Sequence, residues 1–138
     1  MKTNYLFCMI TGAIAGLCAG FFTGVILDQI YVALGFYEPL FPGIYYAILS
    51  AIPSIAINGM LGAFFALFFV LFFDRTPTNR ILKGLTIGLI YCLFSGLYPV
   101  YGLWAFEQPF WSWIWFLTSP LDKFIYGIVF AFLYKPQK

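Results

Sequence analysis

Histidine is missing altogether from the 138 residues, and Asp, Glu, Lys and Arg together make up only 9% of them. The first absence removes the commonest metal ligand and the commonest general base. The second sets the chain apart from soluble domains, which carry roughly 25% charged residues. The five acids stand singly along the chain and form no cluster of the kind that holds Mg²⁺ for phosphoryl transfer. Cys8, Cys18 and Cys92 lie in apolar runs with no CxxC pair. They therefore read as small buried hydrophobes rather than disulfide partners or ligands. No P-loop, dinucleotide-binding glycine pattern or zinc spacing is present. The sequence thus meets the requirements of no reaction class, calls for no cofactor or metal, and at a net charge of +2 gives no reason to expect a nucleic-acid partner.

What is there is apolar. Hydrophobic residues account for 63% and aromatics for 23%, with a mean hydropathy of +0.94. Several runs of about twenty residues lack any charge, long enough to cross a ~30 Å hydrocarbon core. The expected fold is all-α: a polytopic integral membrane protein whose four transmembrane helices form two similar hairpins in a single domain, 1–138. Hairpin 1 covers about 5–73, a cytoplasmic linker 74–83, and hairpin 2 about 80–134.

The first helix is predicted from about Tyr5 to Ala33 and carries glycine at every fourth position, Gly12, Gly16, Gly20 and Gly24. Glycine at that spacing takes side-chain bulk off one stripe and lets another helix approach closely. The spacing returns at Gly84, Gly88 and Gly96 in the third helix, and the two glycine helices are expected to pack on each other. Lys2 and the small residues near Ala15 resemble a signal peptide, but the apolar run continues well past them, so an uncleaved anchor is expected.

Proline divides the remainder. The turn from Gly35 to Gly43 holds Glu38, Pro39 and Pro42. Thirty charge-free residues follow, which as one helix would overshoot the bilayer, so Pro53 is predicted to separate an interfacial stretch (45–52) from helix 2 (53–73). In helix 2, Asn58, Gly59 and Gly62 read as an inward face with Asn58 as interhelical glue, and the phenylalanine pairs from Phe64 to Phe73 as a lipid face. Helix 3 continues to Phe106, with Pro99 expected to kink it; Glu107 and Pro109 mark the second outer turn. Ser119, Pro120 and Asp122 resemble a helix N-terminus, so helix 4 is predicted over 120–134, with Trp111, Trp113 and Trp115 interfacial. Glycine helix, acidic turn, aromatic stretch and proline-started helix occur in the same order twice, as a parallel repeat would.

Ionisable groups inside such a chain are functional candidates because each costs ~2.5 kcal/mol or more to bury. Asp28, Asn58, Asp122 and Lys123 form the candidate polar set, with Asp28 and Asp122 expected at interfaces. Residues adjacent on a helix do not face each other, so Lys123 is expected to pair with Asp28 or Glu107. Arg75, Arg80 and Lys83 place their linker, and with it both termini, on the cytoplasmic side of the inner membrane. The expected partners are the lipid bilayer and other membrane subunits or further copies of the chain. Two functions follow: an accessory, assembly or scaffold subunit acting through helix contacts, or a small transporter or channel built from the repeat. A transporter needs a charged or polar site near the bilayer midplane, whereas a scaffold needs a dry interior and an exposed small-residue groove.

Overall fold

The computed structural model describes residues 4–36, 38, 43–95 and 109–135, with backbone alone for 109–119. Gly96, Pro99, Glu107 and the side chains of Trp111, Trp113 and Trp115 fall outside the described residues. Every regular element among the described residues is helical. In order these are α1 (Tyr5–Phe21), a π-helical segment (Phe22–Leu27), α2 (Asp28–Ala33), α3 (Ile44–Val70), a 3₁₀ turn (Phe73–Arg75), α4 (Arg80–Ser95) and α5 (Pro109–Leu133). Two of the helical stretches, Tyr5–Ala33 and Ile44–Val70, are long and apolar enough to cross a membrane.

The ends of the first stretch are set by local chemistry. Asn4 caps α1, its Oδ1 accepting from the Phe7 amide at 3.0 Å. Gly35 ends α2 with φ at +74°, a conformation that side chains with a Cβ resist. The amides of Gly35 and Phe36 then return to the carbonyls of Val32 and Tyr31, closing the helix with paired carbonyls.

Pro53 and Pro120 do not divide helices as expected; both lie inside unbroken ones, α3 and α5. The reason is the cost of the alternative. An internal proline forfeits one backbone hydrogen bond, whereas a new helix start leaves four amides without an intrahelical partner. In apolar surroundings, with no water to take those amides, continuing is cheaper. The Ser119, Pro120 and Asp122 pattern is therefore not a start, and Asp122 falls thirteen residues after Pro109 and eleven before Leu133.

The glycine helices do not pack on each other. A Cβ built on Gly12 would collide with Ala66 and the Gly62 carbonyl, on Gly16 with the Asn58 carbonyl group, on Gly20 it would stand 3.0 Å from Asn58 Cβ, and on Gly24 3.0 Å from Ala51 Cβ. As the α1 number rises the α3 number falls, so α1 and α3 are antiparallel and in backbone contact. In the same way a Cβ built on Gly84 would stand 2.5 Å from Ile128 Cα and one on Gly88 2.8 Å from Phe124 Cα, while one on Gly127 of α5 would collide with the Gly84 carbonyl and the Gly88 amide. Each stripe serves the next helix in the chain because the matching small residues are there: Gly59, Gly62 and Ala66 on α3, Gly127 on α5.

Aromatic residues fill the space between the two helix pairs. Tyr126, Phe69 and Phe130 are among the largest fully buried side chains. Phe69 and Phe73 of the expected lipid face belong to this core, and Phe65 and Phe68 pack against it. Phe64, at 67% exposed, stays outside. Six phenylalanines in adjacent pairs spaced by four cover too wide an arc of a helix to face one environment.

Candidate functional site

The site grows from the middle of α5. One turn of that helix presents Asp122 and Tyr126 on the same face, four residues apart, and the close glycine contact beside them brings α4 within reach. Asp122 is 9% exposed. Its Oδ2 accepts from the Lys123 ammonium, forming the ion pair of the site. Its Oδ1 is buried and has no hydrogen-bond donor among the described residues. The amides of Asp122 and Lys123 lie near the carboxylate, but as helix amides they are aimed at carbonyls one turn back.

Lys123 therefore pairs with its immediate neighbour, not with Asp28; Glu107, the other expected partner, lies outside the described residues. The rule that adjacent residues diverge describes Cβ directions on a helix in water. Here a flexible four-carbon stem folds back on the carboxylate beside it. The same ammonium stands 5.4 Å from the centre of the Tyr91 ring, inside the range at which a cation is attracted to an aromatic face.

Tyr91 comes from α4 and is itself fixed. Its ring lies 4.3 Å from that of Phe65 and 5.1 Å from that of Tyr126, centre to centre. Tyr126 donates its hydroxyl proton to the Gly62 carbonyl of α3 at 2.8 Å, and both tyrosines are buried. The Cys92 thiol points at the Pro120 carbonyl of α5 at 3.9 Å. An ammonium from α5 and a ring from α4 thus stand beside one carboxylate, and Tyr126 ties that ring to the α3 backbone.

The other candidates stand apart from this group. Asp28 opens α2, half-buried. Asn58 lies under Gly20, yet its amide donates to the Ser54 carbonyl of its own helix at 2.9 Å, so it does not act as interhelical glue. Cys8 is buried as expected, with its thiol on the Ala66 carbonyl, and Cys92 is half-buried, whereas Cys18 is exposed, contrary to expectation. No group of three or more His, Cys, Asp or Glu able to hold a metal occurs among the described residues. Tyr91 and Tyr126 were not singled out from the sequence; the four-residue step from Asp122 to Tyr126 was the available signal.

Comparison of the chain with protein-family models, with curated proteins and with solved structures returns no match.

Proposed function

We propose that the chain is a small multi-pass protein of the cytoplasmic membrane in which the Asp122 and Lys123 pair forms a translocation site for a small polar or cationic solute. The observation that carries this reading is the unbroken α5. A charged pair eleven residues from the helix end lies ~16 Å along the axis, about half of a ~30 Å hydrocarbon core. Ionisable groups at that depth mark substrate and ion pathways by default. The glycine stripes also weigh against a scaffold that acts through them. Those of α1 and α4 are occupied by α3 and α5 and offer a partner no small-residue groove. One observation favours the assembly reading: the aromatic interior around Phe69 and Phe130 is filled, as a dry bundle would be.

The test is charge movement on a solid-supported membrane carrying proteoliposomes, with small amines, amino acids and inorganic cations applied in turn. A solute-dependent current in the wild type that disappears in Asp122→Asn is the expected result. Absence of current across the panel, together with stable co-purification of other membrane proteins in mild detergent, would favour the assembly subunit.

The proposed topology has two hairpins, with the 74–83 linker and both termini cytoplasmic. Asp74, Arg75 and Arg80 are exposed around that linker. With Cys8, Cys18 and Cys92 replaced by alanine, a Thr78→Cys variant should be labelled by a membrane-impermeant maleimide only after the cells are opened. Labelling from outside intact cells would reverse the orientation.

A further inference from the structure

Among the described residues Lys123 has two partners within reach, the Asp122 carboxylate and the Tyr91 ring, and Asp122 has one oxygen paired and one buried without a donor. We propose that Oδ1 of Asp122 binds a proton as the coupling ion of the site, and that protonation transfers Lys123 from the carboxylate to the face of Tyr91. The step adds one proton from the aqueous phase. A lone pair of Oδ1 forms the O–H bond, Asp122 passes from −1 to neutral, Lys123 keeps its three protons, and the pair passes from neutral to +1. This inference rests on the translocation reading for its purpose, but the binding event is measured separately from transport.

The ligand class follows from what the site can supply. A metal cation takes several oxygen ligands, and a single carboxylate oxygen with no clustered donors does not meet that need. A proton needs one lone pair and no added volume, which suits an atom enclosed by packed side chains. The receiving end is also prepared. Tyr91 is held between Phe65 and Tyr126, so its ring face stays in place when the ammonium arrives.

Few other groups interfere. From α4, Tyr91 and Cys92 face the pair; on α5 itself Lys123 and, through Tyr91, Tyr126 do so. The α1 helix brings Cys8 to the Tyr126 end. The titratable residues of α3, Tyr45 and Tyr46, sit in its first turn. No second acid competes for the proton among the described residues of these helices at that level.

The experiment is infrared difference spectroscopy of the full chain in lipid nanodiscs, titrated between pH 9 and pH 5. The carbonyl stretch of a protonated carboxyl should grow as pH falls, be absent in Asp122→Asn, and change frequency in Asp122→Glu. It should persist at least about one pH unit further into alkali in Lys123→Met, where no counter-charge opposes the proton. Tyr91→Leu, which removes the second partner of the ammonium, should need a lower pH to show the band, while Tyr91→Phe, which keeps the ring, should match the wild type. No band assignable to Asp122 at any pH overturns the inference, even if solute currents are found. A titrating band without any solute current upholds the proton site and removes the translocation reading. Equal titrations in Tyr91→Leu and the wild type overturn the transfer of Lys123.

Discussion

Gly16→Leu is expected to separate α1 from α3 and to cost about 3 kcal/mol or more, the upper range for overpacking. The size of the effect comes from what the new side chain meets. A Cβ at Gly16 collides with the carbonyl group of Asn58 and lies 3.1 Å from Gly59 Cα. These are backbone atoms of a continuous helix and cannot rotate aside as a side chain can. Relief requires α1 to withdraw along its length, which breaks the neighbouring contacts of Gly12 on Ala66 and Gly20 on Asn58. The control is Phe64→Leu, at an exposed position, which should change stability by no more than about 0.5 kcal/mol. Unfolding in lipid nanodiscs followed by circular dichroism makes the comparison. Similar midpoints for the two variants would remove the close α1 to α3 contact.

Lys123→Met is expected to destabilise the protein by about 3–5 kcal/mol at pH 7.5, because it leaves a buried carboxylate without its counter-charge. The double variant Asp122→Asn with Lys123→Met should lose much less, since no buried charge remains. Both are measured as above. Lowering the pH should recover much of the loss in Lys123→Met and little in the double variant. The sign follows from linkage: in the single variant the folded state holds a carboxyl that is better off neutral, so it binds more protons than the unfolded chain and gains stability as pH falls. A single variant as stable as the double one at pH 7.5 would mean that Asp122 is solvated, and the site would then have no claim on the membrane interior.

The corrections to the sequence reading share a cause. The capping pattern at Ser119 and the proline at position 53 are signals calibrated on helices that begin in water, where exposed amides find a partner at once. Within long apolar runs the same residues occur inside helices, because the backbone has nowhere else to satisfy its donors. The divergence of adjacent side chains misplaced Lys123 for a related reason: it describes rigid directions, and a lysyl stem bends.

By itself the sequence determined that the chain is helical, that two of its stretches are long and apolar enough to cross a membrane, and which positions are bare of side chains. Composition and local spacing carry that information, since hydropathy, helix length and the four-residue glycine period are properties of neighbours along the chain. Tertiary structure alone decided which helix each glycine stripe meets, that Phe69 and Phe73 point inward, and that Asp122, Lys123, Tyr91 and Tyr126 share one site. Those facts depend on the small residues of α3 and α5 standing opposite the glycines of α1 and α4 at matching heights. Such a match between distant segments is a property of the packed bundle and leaves no local mark in the sequence.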